Sequence, residues 1–359
     1  MATGKYTNIA WELFENLPTL TKPRTDFIAL FIVSILKVGT VNLSKISIGM
    51  GGQANVQSNY RRIQRFIDQV RWCYLTLVPL ILKWSNVKGP LTLIIDRTNW
   101  KLGSSDLNIL CISVLCEGFC VPVIWTLLPK KGNSSQKERI DLITKLIDVP
   151  GLPKIKSIIG DREFIGSTWF KHLKDNHIDI LIRLKENQLV KRYNKYVAVS
   201  GIIKGNTRRG TQCNGKQYWM DQVQIYIHGF RYKNANNKIE NLIVASFDKN
   251  TKVSKEYSDR WYIESMFKNF KTNGFNMEDT HVTKLDRLET LFGLLTLGYI
   301  CAIQAGKIIL NEKPALFIIA ANGRPKLSIF RAGFQELMNV LLNGLFKRWN
   351  LIFKFLSCA

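Results

Sequence analysis

LTLIID (residues 91–96) is a short, continuous apolar run ending in a carboxylate. A run of that length and composition, with Gly89-Pro90 just upstream, predicts a buried strand that follows a segment boundary. Two β-rich runs come next, LNILCISVLCEG (107–118) and CVPVIWTLL (120–128), and then an amphipathic helix from about 135 to 147. IKSIIGD (155–161) repeats the first pattern, an apolar strand ending in Asp, and leads to a helix over 166–176 and a strand, IDILIRL (178–184). Three adjacent strands followed by helix, strand, helix and strand predict an α/β sheet in which Asp96 and Asp161 each terminate a strand.

Outward from this stretch the pattern changes. Residues 1–88 read as helical, with an apolar helix over about 25–38 and another, LTLVPLILKW, over 75–84. Between them, two short helical patterns are separated by GMGGQ, and the second carries Ser58, Asn59, Tyr60, Arg61, Arg62 and Arg65. Two readings stand: a helix-turn-helix-like unit whose basic helix lies on DNA, or a helical hairpin with a solvated basic face. Residues 187–250 hold short strands, Gly/Asn turns and basic side chains, and predict a β-rich insertion. The α/β pattern then resumes over 251–310, with a long apolar helix at 285–306, and residues 311–359 form a basic, helical C-terminal region. The order is compatible with a ribonuclease H-like core, split into 89–186 and 251–310 by the insertion and flanked by an all-α N-terminal region.

A formal net charge of +24 is spread along the chain, and a folded protein this basic must hold a polyanion or tolerate strong self-repulsion. Nucleic acid is the leading partner; a membrane surface or a ribosomal role is the alternative on charge alone. The seven cysteines include no C-x-x-C pair and no zinc-like Cys/His spacing, and Cys111, Cys116 and Cys120 fall in an apolar stretch. They read as buried reduced thiols, which favours a reducing, cytoplasmic setting. The first residues lack the pattern of a signal peptide. The apolar stretches 28–36 and 291–306 are each shorter than the ~20 residues of a bilayer span, so no membrane segment is expected.

Cutting phosphodiesters requires metal-held oxygens, and two divalent ions about 4 Å apart can activate the nucleophile and stabilise the leaving oxygen. Hard carboxylate ligands suit Mg²⁺ or Mn²⁺. Strand ends place two carboxylates together economically. Asp96 and Asp161 have that position, and each is followed by an arginine, Arg97 and Arg162, that would put positive charge near the scissile phosphate. Either Asp alone is equally a turn or helix-cap residue.

SKEYSDRWYIESMFKNFKTNG (254–274) is sharper. On a regular helix Tyr257, Arg260, Glu264 and Lys271 fall on one face, while Ile263, Met266 and Phe270 form an apolar stripe. One face would dock on the sheet and the other present a carboxylate between cations and a phenol. Without further context, the same spacing is an exposed helix with an Arg260–Glu264 pair.

The pattern Y-x2-R-x3-E-x6-K, with IIGDREF around Asp161 and LTLIID before Asp96, resembles bacterial insertion-sequence transposases of the insertion-sequence-four type, which carry a DDE triad. The resemblance covers most of the chain and includes a β-rich insertion between the second Asp and the Glu. It implies a cut-and-paste enzyme in which Asp96, Asp161 and Glu264 hold two Mg²⁺ ions, with Mn²⁺ as substitute. It also implies a hydrolytic nick, a hairpin intermediate and strand transfer into target DNA. Tyr257, Arg260 and Lys271 would grip the terminal phosphates of the transposon end. Two protomers would pair across two double-stranded DNA ends in a synaptic complex, at the bacterial nucleoid. Trp219 in the insertion is a candidate platform for a flipped base, against the plainer reading of a packed sheet aromatic. Arg97, Arg162, Arg61, Arg62 and Arg65 complete the candidate DNA contacts. Glu163 is an alternative ligand; His172, His177, His228 and His281 lack ligand spacing and read as surface or structural. Arg208-Arg209 reads as solvated or touching phosphate. A silent DNA-binding regulator derived from a transposase, or a nuclease without strand transfer, is the competing function.

Overall fold

The structure is a computed structural model that describes residues 7–102, 105–204, 212–233, 239–318 and 327–356. Arg208-Arg209 lies outside the described residues.

The chain opens with α1 (Thr7–Asn16), α2 (Lys22–Val38), α3 (Leu43–Met50), α4 (Val56–Gln69) and α5 (Tyr74–Trp84). β1 (Leu91–Leu102), β2 (Ser105–Cys116) and β3 (Phe119–Leu127) are followed by α6 (Gln136–Ile147), β4 (Ile155–Gly160), α7 (Ser167–Asp175) and β5 (Asp179–Arg183). Then come β6 (Leu189–Arg192), β7 (Lys195–Ala198), α8 (Val199–Lys204), β8 (Gln212–Met220), β9 (Val223–Lys233) and β10 (Ile239–Ser246). α9 (Val253–Glu256), α10 (Trp261–Lys271), α11 (Leu285–Glu312), α12 (Ile329–Asn343) and α13 (Phe346–Ile352) complete it.

Local chemistry explains the helix starts. Asn42 accepts from the Ser44 and Lys45 amides at the head of α3, and Asn55 accepts from Ser58 at the head of α4. These caps satisfy amides that have no partner within the helix. Ser135 and Glu138 form a reciprocal capping box on α6. Gly51 and Gly52, at φ 59° and 83°, make the turn between α3 and α4, and buried Asn59 ties the pair together by donating to the Ser47 carbonyl.

The described strands form one ten-stranded sheet in the order β3-β2-β1-β4-β5-β10-β9-β8-β6-β7. β4 runs parallel to β1 and to β5, while β2, β3 and β10 join antiparallel. The molecule is thus mixed α/β around a large sheet. Residues 187–250 extend that sheet through β10 against β5, where the Asp179 carboxylate accepts from the Phe247 amide at 2.6 Å. α10 docks on β2 and β3 through Met266, whose sulfur lies 3.6 Å from Ser113 Oγ and 3.8 Å from Cys120 Sγ. α11 packs on α2, α4, α5, α12 and β3, so the helical N-terminal region and the sheet share one core. It meets α12 where both helices carry glycine: a Cβ on Gly333 would lie 1.8 Å from the Ala302 carbonyl.

Three expectations need correction. β1 does not end at Asp96; it continues to Leu102, because RTNWKL, although polar, pairs residue for residue with β2. The segment carrying Tyr257 to Lys271 is not one α-helix. α9 ends before Tyr257, residues 258–260 form a 3-10 turn, and α10 starts at Trp261, although the backbone stays in the right-handed region at Tyr257, Arg260 and Trp261. The last apolar helix runs on to Glu312, and its 28 residues are long and apolar enough to cross a bilayer by length and composition alone. Most of its apolar length is nevertheless buried inside the protein.

Candidate active site

Strand register brings the first two carboxylates level. In the parallel ladder Ile94 pairs with Ile159, where the β1–β4 pairing ends, so Asp96 and Asp161 stand two residues further on at the same height. Asp161 follows β4 directly and caps the next turn, its Oδ1 accepting from the Glu163 amide at 2.8 Å. Asp96 accepts from the Arg97 amide at 2.7 Å.

Side chains alternate across a strand, and this decides which neighbours reach the site. Asp96 and Trp100 share the face covered by α10. There Arg260 Nη1 lies 3.5 Å from Asp96 Oδ2, and Lys271 sits 5.6 Å from the centroid of the Trp100 ring. Arg97 is on the opposite face. Its guanidinium forms a two-pronged pair with Glu163 at 2.9 and 3.0 Å and donates to Asn108 and Asn133 at 3.1 and 3.3 Å. Glu163 also accepts from the Ser134 amide. Burial pulls the Glu163 carboxyl up, but the Arg97 and Ser134 hydrogen bonds outweigh it and hold the group below the usual range. Arg97 is therefore turned away from the Asp96 carboxylate, and Glu163 is committed to it rather than offered as a ligand. Arg162 is exposed beside the cap.

The third carboxylate stands one turn into α10. Glu264 is in ion-pair contact with Arg260, whose side chain is 20% exposed and thus bridges Glu264 and Asp96. The buried Tyr257 ring lies 6.0 Å from the Arg260 guanidinium, and burial pushes its phenol up to about 12. Lys271 donates to the Asn99 carbonyl at 2.9 Å and is 3.4 Å from Glu278. The Asp96 carboxyl is pushed up to about 7 by burial, which outweighs the lowering by the Arg97 amide and Arg260; the charges of Asp161 and Glu264 add a smaller push in the same direction. The register thus sets Asp96 level with Asp161, and Arg260 joins Asp96 to Glu264, with Tyr257 beside the arginine and Lys271 a few residues along β1.

Among the described residues, no three His, Cys, Asp or Glu side chains converge on one point, and Arg260 pairs with both Asp96 and Glu264. The donor set still fits a hard divalent cation. It offers only oxygen ligands, and a cation would offset both the burial of the Asp96 charge and its repulsion by Asp161 and Glu264.

The sequence profile of the transposase DDE domain matches residues 88–301, which takes in every one of these side chains. The chain belongs to this family. It is a DDE transposase of the insertion-sequence type, a metal-dependent DNA endonuclease and strand transferase. Among curated proteins none matches the transposase. Among solved structures, the endonuclease V of Bacillus subtilis is similar to it at 11% identity, over 63% of this chain and 92% of that chain. Its TM-score of 0.25 adds nothing to the fold assignment.

Other candidates lie apart. Arg61, Arg62 and Arg65 are exposed on α4, with Arg62 stacked 4.8 Å over Phe27. Trp219, on β8, is 45% exposed, so it is not a packed sheet aromatic. Lys191 pairs with Trp219 on one side and with Tyr196 on the other, which places the three in a cross-strand row. Sequence reading missed Tyr196 and Lys191 because their alignment depends on the order β8-β6-β7. It also missed Asn108 as an Arg97 anchor, though a buried Asn within an apolar strand is a signal of an obligatory partner. His228 is fully buried, with Nε2 3.1 Å from the Asp248 carbonyl, and is structural. The Cys111 and Cys116 thiols are pushed up to about 12 by burial, which makes them inert.

Proposed function

We propose that Asp96, Asp161 and Glu264 hold two divalent cations, Mg²⁺ with Mn²⁺ as substitute, and that the transposase nicks its transposon ends and joins them to target DNA. The observation that carries this reading is the shared height of Asp96 and Asp161 on parallel strands, with Glu264 brought to Asp96 through Arg260. Bound there, the cations would supply an activated water or 3′-hydroxyl and offset charge on the leaving oxygen. The protein's own groups do the rest. Tyr257, Arg260 and Lys271 grip phosphates of the transposon end, with the arginine fork suited to two phosphate oxygens. Trp219 and Tyr196 offer rings on which an unpaired base can stack, with Lys191 between them for its phosphate. That surface suits a hairpin intermediate, whose tight turn needs a base out of the stack.

Arg162 beside the cap adds a phosphate contact near the site, and Arg61, Arg62 and Arg65 on α4 would form a separate phosphate-binding patch. The division into residues 1–88 for DNA binding, 89–186 and 251–310 for catalysis, 187–250 for the insertion and 311–359 for the C-terminal region follows the same assignment. Leu342, Leu345, Phe346 and Leu351 are exposed near the C-terminus and support pairing of two protomers across two ends, at the bacterial nucleoid.

The test is cleavage of linear DNA carrying the element's own ends, in Mg²⁺, with products resolved on denaturing gels. Wild type is expected to nick at the ends and leave a 3′-hydroxyl, and Glu264→Gln to lose the reaction by at least about 10³-fold. Equal cleavage by both proteins would remove Glu264 from the triad. Specific binding without cleavage by wild type would instead favour the regulator.

A further inference from the structure

Arg260 occupies an unusual position for a phosphate-gripping residue. Its guanidinium is held inside the carboxylate group, 3.5 Å from Asp96 and in contact with Glu264, with the Tyr257 ring behind it. Two other cations near the strand end are committed elsewhere. Arg97 is bound to Glu163 on the far face, and Lys271 is engaged by the Asn99 carbonyl and Glu278. Arg260 is the positive group that contacts both Asp96 and Glu264 in the free chain. A guanidinium spanning two carboxylates blocks oxygens that a divalent ion would need, because both ligands compete for the same lone pairs.

We propose that Arg260 is a specificity-determining residue that makes metal loading conditional on DNA: in the free chain it stands in for the cation, and a phosphate of the bound transposon end draws it off, releasing Asp96 and Glu264. The inference rests on these carboxylates being the metal ligands. The geometry makes the exchange short. Arg260 lies at the junction of the 3-10 turn and α10, one helical turn before Glu264, so a rotation of its side chain carries the guanidinium from the carboxylates to a phosphate on the outer face. Charge favours the exchange: the guanidinium (+1) moves from two carboxylates (−2) to a phosphate (−1), and a divalent ion (+2) in its place would match the two carboxylates. The coupling is reciprocal, so metal should also tighten the grip on the transposon end. On arbitrary DNA, where no end-specific contacts seat a phosphate against that face, loading should be weaker.

The experiment measures Mn²⁺ binding to the full-length chain by the electron paramagnetic resonance signal of free Mn²⁺. It is run without DNA, with a duplex of the element's own end, and with a random duplex of equal length. Wild type is expected to bind Mn²⁺ roughly tenfold or more tightly with the end duplex than without it, and to gain less from the random duplex. Arg260→Gln should bind Mn²⁺ alone as tightly as wild type does with its end, and the end duplex should add little. Arg260→Lys keeps the charge but cannot fork onto both carboxylates, and should fall between the two. If Arg260→Gln and wild type bind Mn²⁺ equally without DNA, the proposal is overturned. It is also overturned if the end duplex tightens both to the same extent, or if Arg260→Lys matches wild type, since charge alone would then explain the glutamine variant. Glu264→Gln separates the two layers. If it weakens Mn²⁺ binding while the Arg260 variants change nothing, the metal site stands and the gate falls; if it leaves Mn²⁺ binding intact, the ligand assignment itself fails.

Discussion

In β3 every residue from Phe119 to Leu127 is buried except half-buried Thr126, whereas in β7 Lys195, Tyr196 and Val197 are all exposed, although both strands edge the same sheet. An open edge presents unpaired amides and carbonyls and invites unwanted pairing. The two edges meet that hazard differently. α5, α6, α10 and α11 pack on β3 and bury it, and α10, which carries Glu264, is one of the elements doing so. β7 is only four residues long and carries Lys195, two devices that discourage another strand. Covering an edge consumes its side chains in packing; leaving it open frees Tyr196, and Trp219 two strands inward, for contact with a partner. The first half of the sheet holds the carboxylates still, and the second half offers a surface.

Substitutions should divide along that line. The largest stability loss is expected at the buried edge: Ile124→Ala, at a fully buried position, should cost about 2–5 kcal/mol in denaturant unfolding, whereas Tyr196→Ala should stay within about 0.5 kcal/mol. Comparable losses from both would erase the contrast between the edges.

Next comes pH. Asp96 has a folded pKa of about 7, above the ordinary carboxylate value of ~3.9, so the folded chain holds its proton more tightly than the unfolded chain does. Stability of the metal-free transposase should therefore fall as pH rises from about 4 through about 7, with the loss complete above that. Asp96→Asn should flatten this slope and stabilise the chain by about 1–3 kcal/mol at pH 8. Melting curves across that range check it, and an unchanged slope in the variant would remove Asp96 as its source.

Arg97 sharpens the comparison between the two faces of β1. Arg97→Leu strands Glu163 and should cost about 1–3 kcal/mol of stability while leaving the salt dependence of DNA binding unchanged. A salt slope reduced by about one unit would instead return Arg97 to the DNA contacts. The smallest stability effect is expected at Trp219. Trp219→Ala should leave unfolding within about 0.5 kcal/mol of wild type yet slow hairpin formation roughly tenfold, the worth of one stacked base. Unaltered end processing would leave the exposed ring without that role.

Much of the site was legible because its chemistry is local. An apolar run ending in Asp occurs twice, and the spacing of Ile263, Met266 and Phe270 marks a docking stripe without reference to anything distant. Legibility failed where a pattern is made by a partner strand. RTNWKL carries no apolar alternation strong enough to mark a strand, and only its pairing with β2 makes it one. Asp96-Arg97 and Asp161-Arg162 look alike in sequence but differ in structure: Asp96 and Arg97 face opposite sides of β1, where Arg97 pairs with Glu163, whereas Asp161 and Arg162 stand at the head of a 3-10 turn.

Sequence alone determined the order of strands and helices, the basic character and the identity of the chemical groups, because periodicity and residue type are properties of neighbours along the chain. Tertiary structure decided that Asp96 and Asp161 stand level, that Arg97 turns to Glu163 and Arg260 to Asp96 and Glu264, and that Trp219, Lys191 and Tyr196 share a row. Those facts depend on register and strand order, which are set by long-range pairing and by the side of the sheet each residue must take.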